Sequence, residues 1–241
     1  MPETGIIPNI ENFDILISSC QGYSSRYNPS NNKIKIPALQ TIQTNAGQSI
    51  LALDDLATPR SNTIAARVTN YVTLPPYCTR IVNALAASED VDKRIVQVAQ
   101  TYVRKIRGER KSKKILNPSP TDAKQISASQ RSYFNQAEFF HKLITFVLAQ
   151  PTYAPNETEL KEAALTAFHT LLCQLNQDAI DADTPWLSAL NTRNQILYAP
   201  KTGMIDIALA VKKYVRSVKS ITKEEYNQIS KLVFTRPKKK K

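Results

Sequence analysis

The sequence has little of what most catalytic sites are built from. Only five glycines occur in 241 residues, Gly5, Gly22, Gly47, Gly108 and Gly203, too scattered for a phosphate cradle, which needs clustered glycines ahead of a helix. Histidine is rarer still. His141 and His169 each lie in an apolar stretch of helical pattern and read as helix histidines rather than catalytic bases. Cys20, Cys78 and Cys173 are odd in number and widely spaced, so they match neither a disulfide framework nor a zinc site. Their apolar neighbours predict buried free thiols. Asp178, Asp181 and Asp183 lack the central glycine and closing glutamate of a calcium loop and read as helix-end solvation and capping toward Thr184. These absences predict no catalytic residue, no cofactor and no metal, and so a protein that is not an enzyme.

Long apolar runs are also missing. The strongest, Phe139 to Ala149, is interrupted by His141 and Lys142, and a bilayer span needs roughly 18 apolar residues. No membrane span is expected. The opening Met-Pro-Glu-Thr-Gly carries an acidic residue where a secretory leader has basic ones, which predicts a cytoplasmic protein.

What is abundant points to helices. Hydrophobic residues make up 42% of the chain, enough for a sizeable core, and alanine, leucine, isoleucine, lysine and glutamine predominate over turn formers. An all-α fold follows. Sliding the sequence on itself by 126 positions aligns residues 13–110 with 139–236 without a gap. Tyr27-Asn28-Pro29 then meets Tyr153-Ala154-Pro155, and Thr58-Pro59 meets Thr184-Pro185. Ile81, Ala84, Lys93, Ile95 and Lys105 meet Ile207, Ala210, Lys219, Ile221 and Lys231. Fixed-period self-similarity of this length predicts a duplicated domain rather than a solenoid of short repeats.

Both copies carry the same helix signals. A first helix is expected near 9–22 and 131–149, ended by the Tyr-x-Pro turn, and a second near 31–54 and 157–180. Threonine followed by proline is a strong helix-start signal, so a third helix is expected to begin at Thr58-Pro59 and Thr184-Pro185. Met204, Ile207, Ala208, Val211, Val215 and Val218 form the apolar stripe of a fourth helix, with Gly203 in the turn before it. A fifth is expected at 91–107 and 222–232. The organisation predicted is two tandem, duplicated four- or five-helix bundles, at 1–110 and 131–236. A basic, proline-containing linker at 111–130 joins them, and a basic tail follows at 237–241. Asp55 with Arg67, and Asp181 with Arg193, flank the same turn in each copy and predict a structural ion pair bracing that corner.

The formal charge is +12, and its distribution is uneven. Residues 1–100 are neutral overall, with eight basic and eight acidic side chains. Residues 104–114 carry +6 through Arg104, Lys105, Arg107, Arg110, Lys111, Lys113 and Lys114, and residues 212–241 carry +9. The second group includes Lys212, Lys213, Arg216, Lys219 and the terminal Lys238, Lys239, Lys240 and Lys241. Lys212, Arg216 and Lys219 are spaced to share a solvated helix face opposite the valine stripe. Clusters of this kind attract polyanions by counterion release; as a purely structural feature they keep a helix soluble. Tyr102, Tyr214 and Tyr226 are spaced as half-buried core rather than as a base-stacking platform.

The runs Arg193 to Tyr198, Thr202-Gly203 and Ala210 to Ser217 give residues 184–236 a resemblance to uncharacterised bacterial helical proteins. The resemblance implies a helical fold and brings no activity, cofactor or partner. The sequence thus predicts a non-enzymatic helical protein docking on nucleic acid, ribonucleoprotein or another polyanion. The competing expectation is a scaffold binding a protein partner or itself through its bundles.

Overall fold

A computed structural model describes residues 5–108 and 132–237. The chain is all-α, with no strand among the described residues. Seven helices follow in order among them: α1 (Ile6–Gly22), α2 (Ile36–Ala86), α3 (Lys93–Arg107), α4 (Tyr133–Leu148), α5 (Glu162–Tyr198), α6 (Met204–Ser217) and α7 (Lys223–Ser230). The first and fifth helices of the expected scheme lie within a few residues of their predicted bounds in both copies. The fourth is a separate helix, α6, only in copy two, its counterpart in copy one being the last part of α2. The expected linker at 111–130 lies outside the described residues.

The second and third helices of each copy are fused. α2 runs through Pro59, Pro75 and Pro76, and α5 through Pro185. A proline inside a helix removes one backbone hydrogen bond and costs about 3 kcal/mol, so the Thr-Pro pairs were expected to start new helices. Burial on both sides of the proline outweighs that cost. α2 places Leu39 and Ala46 in one core and Leu74, Cys78, Ile81 and Leu85 in another, all at or near zero exposure.

This fusion overturns the expected domain division. The two compact units are not successive halves of the chain. A terminal unit comprises Met1–Thr58 with Thr184–Lys241, and a central unit comprises Pro59–Asp183. Each core therefore combines the first half of one of the two aligned segments with the second half of the other. In the terminal unit Phe13, Leu16, Ile17 and Cys20 of α1 pack with Leu39, Leu197 and the α6 stripe of Met204, Ile207, Ala208, Val211 and Val215. In the central unit Leu74, Ile81 and Leu85 of α2 pack with Ala99, Val103 and Ile106 of α3. Phe140, Leu143, Ile144 and Val147 of α4, with Leu165 and Leu172 of α5, complete that core.

Several details recur at the 126-residue offset. α2 begins at Ile36 and α5 at Glu162. The Tyr27 hydroxyl donates to the Ile34 carbonyl at 2.5 Å, and the Tyr153 hydroxyl to the Leu160 carbonyl at 3.0 Å, so each Tyr-x-Pro turn is closed by the same bond. The first helix departs from that register. Its buried positions Phe13, Leu16, Ile17 and Cys20 answer to Phe140, Leu143, Ile144 and Val147, an offset of 127, so Ile17 matches Ile144 rather than Leu143. A second departure follows Tyr198. Copy two breaks there before α6, where α2 of copy one continues unbroken.

Candidate functional site

α6 is positioned by its buried stripe, which turns Leu209, Lys213 and Arg216 outward, at the four- and three-residue steps of one helix face. Just beyond the helix end, Lys219 is also exposed. None of the three cations Lys213, Arg216 and Lys219 has a carboxylate within ion-pair distance among the described residues. Their situation differs from that of Arg26, Arg60, Arg80 and Arg236, which pair with Glu225, Asp183, Glu159 and Asp206.

Lys212 does not belong to that surface. It is half-buried, and its ammonium donates to the Ser230 and Leu232 carbonyls at the end of α7 and sits 5.4 Å from the centre of the Phe234 ring. Burial pulls its pKa below the usual lysine value. The reason lies in helix geometry: Lys212 is one residue, or about 100°, away from the face of Lys213, on the side that meets α7. It is a structural lysine satisfying carbonyls that the helix end leaves open.

The first basic run is divided in the same way. Arg104 is exposed and donates to the Thr101 hydroxyl at 2.9 Å. Lys105 lies over the Phe139 ring at 5.0 Å and near Tyr102 at 6.0 Å, while Arg107 donates to the Thr79 hydroxyl at 2.7 Å. α3 ends at Gly108, whose φ of 71° is a left-handed cap that glycine adopts without strain. Three cations in the last turn also complement the helix dipole. Arg110, Lys111, Lys113, Lys114 and Lys238, Lys239, Lys240 and Lys241 lie outside the described residues. Tyr102, Tyr214 and Tyr226 are half-buried as expected. Tyr214 makes an edge contact with Tyr27, with ring centres 5.3 Å apart.

The expected corner ion pairs do not form. Asp55 and Arg67 are twelve residues apart in one continuous helix, as are Asp181 and Arg193, whereas pairs along a helix need three- or four-residue spacing. Arg67 stacks on Tyr133 instead, at 4.5 Å from the ring centre. Arg193 is buried and donates to Asn194 at 3.3 Å. The acidic stretch is mid-helix rather than capping: Asp178 and Asp181 accept from Gln174 and Gln177 one turn earlier, and Asp183 takes Arg60.

A side-chain cluster that the residue pattern did not single out lies in the central unit. His169 and Cys173 are four apart on α5, with His169 Nε2 3.5 Å from Cys173 Sγ. The ring of His141, from α4, lies 4.8 Å from that of His169. Cys173 is exposed, contrary to its expected burial, while Cys20 and Cys78 are buried as expected. The signal was the four-residue spacing His-x-x-x-Cys within a helical pattern. Among the described residues no group of three or more histidine, cysteine or acidic side chains is placed to hold a metal ion, and no helix is long and apolar enough to cross a membrane.

The carboxylates of the ion pairs carry a pH dependence. The Arg26 guanidinium, with the Thr222 backbone N–H, holds Glu225 below its ordinary value of 4.5, and the Lys201 N–H, with Arg236, holds Asp206 below 3.8. A depressed folded pKa stabilises the fold above the unfolded value and loses that contribution as pH falls through the folded one. Thermal midpoints are therefore expected to drop as pH falls below about 4.5, and Glu225→Gln is expected to shrink that drop. An identical acid profile in Glu225→Gln would show that Glu225 contributes nothing to it. In comparisons with known proteins, the chain matches no family model, no curated protein and no solved structure.

Proposed function

We propose that this is a non-enzymatic helical protein, built from a duplicated helical unit, that docks an anionic partner, nucleic acid or ribonucleoprotein, through basic surfaces. The carrying observation is the exposed set Lys213, Arg216 and Lys219, which has no carboxylate partner among the described residues. A cation without a protein partner keeps its full attraction for phosphate. The charge of +9 over residues 212–241 supports the same reading. The duplication is supported by the matched Tyr-x-Pro turns and helix starts.

The test is binding of labelled RNA and DNA over a salt series. Affinity is expected to fall with salt. Lys213→Gln/Arg216→Gln/Lys219→Gln is expected to reduce the log–log slope by about 2–3, since each phosphate left unneutralised removes about 0.7–0.9. Absence of binding at low salt, or an affinity indifferent to salt, sinks the proposal. It would leave the scaffold reading, which exposed Val68 and Val72, one turn apart on α2, favour.

A further inference from the structure

The three cysteines differ sharply in access. Cys20 is 1% exposed and Cys78 is fully buried, and burial pushes both thiols up to about 12. Such thiols hold their protons and are inert. Cys173 is exposed on the outer side of α5 and already touches an imidazole nitrogen.

We propose that Cys173, with His169 as its proton acceptor, is a thiol-modification site that forms a mixed disulfide with low-molecular-weight disulfides. The geometry supplies the two parts such a reaction needs, a sulfur open to solvent and a base at 3.5 Å. Helical spacing fixes the pair, since residues four apart share a face. Burial, and then the neighbouring His141, hold His169 below its ordinary value of 6.5. The lowered value favours the neutral ring, which has a lone pair to accept with.

The groups around the pair come from two other helices. From α4, His141 stacks near His169, and Glu138 lies close enough to act on both imidazoles while paired with Lys142 at 3.0 Å. From α2, Tyr71 is the neighbouring phenol. Its hydroxyl accepts from Asn176 at 2.7 Å and donates toward the Leu172 carbonyl at 3.4 Å, so it is engaged elsewhere. In the reaction the Cys173 proton passes to His169 Nε2 and the sulfur attacks one sulfur of the disulfide. The S–S bond breaks as the Cys173 mixed disulfide forms, and the departing thiolate takes the proton back from His169. One disulfide and one thiol give one mixed disulfide and one thiol, with no further oxidant.

The experiment uses the full chain with excess oxidised glutathione, followed by intact mass and peptide mapping. One adduct per chain is expected, on Cys173, and none in Cys173→Ser. In His169→Ala the rate at pH 7 is expected to fall by about tenfold or more, and the gap to close above about pH 9, where free thiols ionise unaided. A purely structural role for His169 would move folding and leave this pH profile alone, so circular dichroism of each variant accompanies the rates. The proposal is overturned by an adduct on Cys20 or Cys78 in the folded chain, by no adduct on Cys173, or by equal rates in the His169→Ala variant at every pH.

Discussion

Phe140→Ala is expected to lower the unfolding free energy by about 3–5 kcal/mol, read from chemical denaturation of the full chain. Phe140 is fully buried on α4. Its ring centre lies 5.7 Å from that of Phe168 at near-perpendicular tilt, 6.1 Å from Tyr77 and 6.4 Å from His169. Truncation removes the apolar area and leaves a void that neighbours from α2 and α5 are too rigidly placed to fill. Phe134→Ala, on the same helix but 73% exposed, is the control, with an effect within about 0.5 kcal/mol. A loss under about 1 kcal/mol at Phe140 would mean that the site collapses freely, contrary to its placement at the centre of this aromatic cluster.

Hydrophobic periodicity made the helices legible and left their partners hidden. The expected α6 stripe from Met204 to Val215 is buried throughout, with Ile205 buried in addition, because a 3.6-residue period is a local property. Which core that stripe enters is not local. Thr58-Pro59 carries the signal of a helix start, yet the same dipeptide sits inside α2, because burial of Leu39 and Ala46 on one side and of Leu74 and Ile81 on the other exceeds the proline cost. With the break removed, one core joins Met1–Thr58 to Thr184–Lys241 and the other is built from Pro59–Asp183, and no local periodicity encodes that pairing.

The site was legible as charge and obscure as contact. Summed charge located Lys213, Arg216 and Lys219, but the same sum included Lys212, whose carbonyl partners lie 18 and 20 residues further along the chain. Asn9 shows the same limit over a longer distance. It is 1% exposed, and its side-chain amide both donates to the Thr235 carbonyl at 2.8 Å and accepts the Thr235 N–H at 2.9 Å. α1 thereby holds the stretch just before the basic tail. An asparagine inside a helical run carries no mark of a partner 226 residues away, whereas His169 and Cys173, four residues apart, could have been paired by spacing alone.

The same substitution at two glycines is expected to act with opposite signs, and the contrast tests why the two copies differ after Tyr198. Gly203 precedes α6 with its N–H donating to the Ala199 carbonyl at 2.8 Å. A Cβ there would stand 2.5 Å from Ala199 N, 2.8 Å from Ala199 O and 2.9 Å from Tyr198 C. All three are backbone atoms, so relief requires opening the turn that ends α5, which also presents the Tyr198 carbonyl to Arg236 at 3.0 Å. Gly203→Ala is therefore expected to cost about 2–3 kcal/mol. Gly47, inside α2, has nothing within 4 Å of its would-be Cβ, and Gly47→Ala is expected to stabilise by about 0.5–1 kcal/mol through helix propensity. Copy one has Tyr77 at the position of Gly203, within the unbroken helix α2. A side chain there is compatible with helix and incompatible with the tight turn, so Gly203 is what allows copy two to end α5 and start α6 within a few residues. A neutral Gly203→Ala, measured beside a stabilised Gly47→Ala, would show that the turn opens without cost and that Gly203 does not set the break.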